Sequence, residues 1–213
     1  MRLFPCLMVA VLAACLMLGA CAKKTPAPRM VSQEVHMGVA PFSQPQNTAA
    51  LLLGRLPEHQ GKIPADALPK LDAAFAKVLA ADCKRPLRML PPLHTPDFTK
   101  FHAAESPRAL TEWVAYGKSN AVEMLIVPQV LDWRQRDGSP AGVTESAAVR
   151  LEFFLIDVRT GGIVNRSVLE EKQLGLLDDL GHAGKFFKRH GAWITAEELA
   201  EEGMHKAVKD LGL

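Results

Sequence analysis

The stretch Val149-Arg150-Leu151-Glu152-Phe153-Phe154-Leu155-Ile156-Asp157-Val158-Arg159-Thr160-Gly161-Gly162-Ile163-Val164 decides the fold. Val149, Leu151, Phe153 and Leu155 recur at every second position, while on the alternate positions Arg150 and Glu152 give way to Phe154 and Ile156. Period-two alternation marks a strand. One of its faces is apolar throughout and the other changes from polar to apolar. Asp157 to Gly162 predicts a tight connection, because an Asp side chain caps turn N–H groups and glycine reaches positive φ at no steric cost. Ile163 to Gln173 returns as a second strand, charged late in its length and therefore partly exposed.

Upstream, Glu123 to Trp133 contains Met124-Leu125-Ile126-Val127 and Val130-Leu131, the near-continuous apolar run of a buried strand. Pro128 has no N–H to give to a ladder, so it predicts a bulge or an unpaired edge. Gln135 to Ser146, with Asp137-Gly138-Ser139-Pro140, reads as a polar turn region. Three successive strands from 123 to 173 predict an antiparallel meander.

Strands and helices precede the meander. Val35, Met37 and Val39 alternate until Pro41, which predicts a strand. Residues 43–65 read as loop with a turn of helix near Leu51-Leu52-Leu53. From about Asp66, the spacing of Leu68, Leu71, Phe75, Val78 and Leu79 is helical, and Pro69 belongs in the first turn. Leu87 to Leu90 is a short strand before Pro91-Pro92, and 93–105 is loop. Ser106-Pro107 predicts the start of a second helix carrying Leu110, Trp113, Val114 and Gly117. At the C-terminus, Thr195 and Glu198 form a capping box ahead of the stripe Leu199, Ala200, Met204, Ala207, Val208 and Leu211. The order strand, helix, strand, helix, three strands, helix predicts an α/β (α+β) sandwich: one mixed sheet of about five strands packed by helices.

The first 21 residues are of a different kind. Arg2 precedes an uncharged apolar run from Leu3 to Leu18, and Leu18-Gly19-Ala20-Cys21 follows. This segment resembles a bacterial lipoprotein signal peptide with its lipobox. The resemblance implies cleavage before Cys21, acylation of its thiol and, because Ala22 and not Asp follows, export to the outer membrane. Residues 1–20 are then the signal peptide, 21–34 the lipidated Cys with a linker, and 35–213 one periplasmic domain. With Pro26 and Pro28 the linker is extended, and at about 3.1 Å per residue it reaches at most about 40 Å. Of the 4 Cys, Cys6 and Cys15 leave with the signal and Cys83 is the one thiol left, which reads as a packing residue at a helix end.

Val39-Ala40-Pro41-Phe42, Leu125-Ile126-Val127-Pro128-Gln129-Val130 and Phe154 to Val164 resemble the corresponding elements of the TolB N-terminal-like fold, which envelope lipoproteins of the LpoB and CsgG kinds share. The likeness spans roughly residues 35–211. It implies a part that assembles or regulates envelope machinery and is not an enzyme. The chain departs from both kinds: its linker is short for a tether across the cell wall, and residues 43–65 and 134–146 are too short and turn-rich for barrel hairpins of about 9–11 residues per strand.

Composition and motifs exclude several classes. Of 213 residues, 48% are hydrophobic and 23% charged, which excludes a disordered chain. Lys+Arg number 25 against 23 Asp+Glu, a balance that argues against nucleic acid as partner. The seven His, at 36, 59, 94, 102, 182, 190 and 205, have no metal-binding spacing. No nucleophile elbow or phosphate loop is present. The expectation is no catalytic residue, no metal and no cofactor. The best contact candidates are Phe186, Phe187, Lys188, Arg189 and Trp193, where aromatic and basic residues interleave, and Trp133 beside Arg134-Gln135-Arg136. Two readings stay open for them: docking on a partner or an anionic membrane, or rings filling the core while the cations reach outward. The expected function is a membrane-anchored, periplasm-facing lipoprotein that binds an envelope protein as an accessory or assembly factor. The alternative is a lipoprotein that binds a small ligand or is an enzyme, with a site invisible in the sequence.

Overall fold

A computed structural model describes residues 35–101, 108–139, 142–173 and 192–213. The elements are β1 (Met37–Val39), α1 (Ala67–Asp82), β2 (Leu87–Met89), α2 (Ala109–Ser119), β3 (Met124–Arg134), β4 (Asp137–Ser139), β5 (Gly142–Glu145), β6 (Ala148–Asp157), β7 (Gly162–Lys172) and α3 (Ala196–Leu211). Five strands form one mixed sheet in the order β2-β1-β3-β6-β7. β1 pairs in parallel with both β2 and β3, and β3-β6-β7 is the antiparallel meander that the sequence predicts.

Alternation sorts the sheet's side chains into two cores. Met37, Val39, Met124, Ile126, Leu151, Phe153 and Leu155 face α1 and α3. Leu125, Val127, Phe154 and Ile156 face α2. Helices therefore cover both faces of the sheet, and the chain forms three layers. The α1 stripe of Leu71, Phe75, Val78 and Leu79 is buried as its spacing predicts. In α3, Thr195 Oγ1 accepts the Glu198 N–H (3.2 Å) and Glu198 Oε2 accepts the Thr195 N–H (2.7 Å), closing the capping box. At the β6–β7 turn, Asp157 Oδ1 accepts from the N–H groups of Arg159 and Thr160, and Gly161 takes φ +73°.

Two expectations are corrected, and that of an unpaired edge at Pro128 is met locally. Residues 135–146 are not only turn: β4 and β5 form a small exposed hairpin there. Helix α2 starts at Ala109 with Arg108 as its flanking residue, whereas Ser106 and Pro107 lie outside the described residues. Pro128 sits in a central strand, in register with Phe153 and without a bulge of its own. The reason is directional. The Pro128 carbonyl accepts the Ser43 N–H on the β1 side, so its nitrogen points to that side as well. β1 has ended at Val39 there, and pairing resumes only with the isolated bridge Ser43–Gln129. The missing N–H falls in the gap.

The bulge of β3 lies further on, between Val130 and Asp132. It changes the parity of the strand, so that Trp133 faces the same core as Val130. Against this turn of β3 lies Gly61, whose N–H is accepted by Asp132 Oδ1 at 2.6 Å. A Cβ at Gly61 would stand 2.2 Å from the Trp133 carbonyl oxygen, so glycine alone permits this approach.

Candidate functional site

The sequence-derived contact residues separate in space. Trp133 is 3% exposed and packs in the core opposite Val149, offering no surface to a partner. Cys21, Phe186, Phe187, Lys188 and Arg189 lie outside the described residues. Trp193 is half-buried and borders a largely polar hollow with Arg134, Glu145 and Lys172. Its segment is clipped in place by Gln173, whose side chain donates to Ala192 O (2.8 Å) and accepts from Ile194 N–H (2.8 Å). Arg136 also donates to the Trp193 carbonyl. Cys83 is half-buried at the end of α1 and packs against the core. Among the described residues, no group of three or more His, Cys, Asp or Glu is placed to hold a metal.

The topology creates a different site. After β1 the chain leaves toward α1 on one face of the sheet, and after the adjacent parallel β2 it leaves toward α2 on the other. Where neighbouring parallel strands send their connections to opposite faces, a crevice opens at their carboxyl ends, the usual ligand position in open α/β sheets. Here it is a cleft of about 480 Å³. Phe42 and Ser43 come from the β1 exit, Pro92, Thr95 and Phe98 from the β2 exit, Leu68 and Asp72 from α1, and Trp113 from α2.

Each wall is fixed from behind. Phe42 packs edge-on against Phe75 and Phe153, with centroids 5.8 and 5.9 Å away. Phe98 lies 6.4 Å from Trp113, which meets Tyr116 in a T-shaped contact at 5.5 Å. Asn47 donates to Phe98 O (3.0 Å), and Tyr116 Oη donates to Pro91 O (2.7 Å), tying the β2 exit loop down at two points. Burial pushes the Tyr116 hydroxyl up to about 12, with the Arg88 guanidinium opposing and the Asp72 charge adding to the rise.

Asp72 alone among the lining residues has a titratable side chain. Its Oδ1 accepts the Phe42 N–H at 2.7 Å, yet burial outweighs that bond and raises its pKa above 3.8. The native state thus binds the Asp72 proton more tightly than the unfolded chain does. Stability from this group is present below pH 3.8 and is lost as pH rises from there through the raised native value. Against an Asp72→Asn variant, the wild-type unfolding free energy should fall progressively over that rise; parallel pH profiles would contradict this.

A second buried polar group lies on the α2 face. Glu152 is fully buried, with Arg166 Nη2 2.7 Å and Arg150 Nη2 3.3 Å from Oε1, and Arg166 Nε donating to Oε2 at 3.1 Å. Gln129, its register partner, is equally buried and donates to Ala50 O at 2.9 Å. Every polar atom of this cluster except Arg150 Nε has a bond or solvent, so the cluster reads as scaffold and not as chemistry.

No protein-family model and no curated protein matches the chain. Among solved structures it is similar to the PelC dodecamer from Paraburkholderia phytofirmans, at 15% identity over 88% of this chain and 94% of that one, TM-score 0.50. It is also similar to the LpoB C-terminal domain from Salmonella enterica (11% identity, 68% and 88%, TM-score 0.36). A further neighbour is lipoprotein GNA1162 from Neisseria meningitidis (10% identity, 74% and 99%, TM-score 0.35). At these identities the likeness is one of fold.

Proposed function

We propose that the chain is a lipid-anchored protein of the bacterial outer membrane whose domain faces the periplasm and acts, without catalysis of its own, as a protein-binding accessory or assembly factor of the envelope. The observation that carries this reading is Leu18-Gly19-Ala20-Cys21, placed at the end of an uncharged apolar run and joined by a short linker to the domain. The TolB N-terminal-like grouping belongs to the same proposal. So does the fold likeness to PelC, whose solved form is a dodecamer. Among the described residues, no helix is long and apolar enough to cross a membrane. In this reading the acyl chains on Cys21 hold the protein, each buried methylene contributing about 0.8 kcal/mol.

In-cell crosslinking followed by identification of the captured chains tests the proposal, and it also reads self-association. A Cys21→Ala variant should move from the membrane fraction to the soluble fraction; retention in the membrane contradicts the anchor. Charge reversal at Lys188 and Arg189 should abolish recovery of the partner if that segment docks. Unchanged recovery removes it from the interface.

A further inference from the structure

The cleft at the ends of β1 and β2 is unlike a packing defect in its electrostatics. A void in a core is walled by carbon; this one has a carboxylate in its wall. Asp72 receives one hydrogen bond, from the Phe42 N–H, and no cation of the described residues pairs with it. A carboxylate held half out of water without a counter-charge costs stability, and an apolar side chain at this place on α1 would avoid that cost. The cleft is also lined by the half-buried Phe98, by Phe42 and Trp113, which are nearly wholly buried behind it, and by four prolines. An aromatic face and an unpaired carboxylate attract the same thing, a positive charge on a weakly hydrated body.

We propose that this cleft binds a small organic ammonium, a cationic nitrogen carried on an apolar body, held between the Asp72 carboxylate and the aromatic walls. The volume of about 480 Å³ suits a small molecule. The prolines, with φ fixed by their rings, lose little freedom on binding, so the walls are preorganised. Trp113, 1% exposed, lines the same cleft, and its indole N–H has no acceptor among the described residues. The proposal rests on the cleft alone and stands or falls independently of the accessory role.

Calorimetric titration of the full-length lipidated chain in dodecyl maltoside micelles tests it, with phenethylammonium chloride as probe and phenethyl alcohol as its neutral counterpart. The ammonium should bind about tenfold more tightly than the alcohol near neutral pH. Asp72→Asn, which keeps an acceptor for the Phe42 N–H, should erase that preference and leave the alcohol's affinity unchanged. Phe98→Leu should weaken the ammonium by about fivefold while Asp72 stays in place. Equal binding of the two probes, binding of neither, or a preference that survives Asp72→Asn overturns the proposal. Micelles doped with phosphatidylethanolamine distinguish the source of the ammonium. Competition with the probe identifies a lipid head group, and unchanged probe affinity identifies a free molecule.

Discussion

Truncation of Phe153 to alanine is expected to cost about 4 kcal/mol of folding stability. The ring is fully buried and lies 5.3 Å from Phe75 and 5.9 Å from Phe42. It therefore joins three elements that are distant in sequence: β6, α1 and the exit of β1. The loss has two parts, transfer of the ring's area out of water and the cavity left where it was. Collapse into that cavity is restrained, because Phe153 sits mid-sheet opposite Pro128 and between the β3 and β7 ladders. Against a total of about 5–15 kcal/mol for an ordinary domain, this is a large fraction. Urea unfolding followed by circular dichroism measures it, with an unchanged m-value showing that stability alone has moved. A loss below about 1 kcal/mol would mean that the three-ring contact does not hold these elements together.

Glu152→Ala is expected to cost about 3 kcal/mol, for an electrostatic reason. Arg166 engages both oxygens of this carboxylate and Arg150 engages one, so the substitution strips Arg166 of its carboxylate and leaves Arg150 only Glu170, at 3.9 Å. Both arginines are about a third exposed or less, and solvent access recovers part of the loss. Arg166 also lies over the Phe154 ring at 5.6 Å, which limits how far it can swing toward water. Since the pair is internal, added salt should change the penalty little. A double-mutant cycle of Glu152→Ala with Arg166→Ala separates the pair from its parts: the combined loss should be clearly smaller than the sum of the single losses. Simple additivity would show that the two side chains do not act together.

What the sequence made legible follows from range. The capping box at Thr195 and Glu198, the α1 stripe and the alternation of β6 are written within a turn or two of chain, and each appears in the structure as its spacing predicts. Glu152 was visible only as one polar residue on a mixed face. Its partner Arg166 reaches it through the β6–β7 register, in which Phe154 opposes Arg166. Trp133 next to basic residues left a surface and a core reading open, and the bulge that turns it inward depends on pairing with β6. The cleft was further out of reach. On α1, Asp72 looks like one more polar residue of an amphipathic helix, and Phe42, Phe98 and Trp113 belong to three segments that only the crossover topology brings together.

The position of β1 has a mechanical consequence. Among the described residues it is the first strand, yet it lies between β2 and β3 and runs parallel to both. A pull on the chain at Val35 is directed along this strand. It loads the hydrogen bonds on both flanks together, in shear, including those from Leu90 N–H to Val39 O and from Ala40 N–H to Ile126 O. An edge strand such as β7 would instead peel, one bond at a time. If Cys21 anchors the chain as proposed, tension from the anchor enters the described residues along a strand loaded in shear.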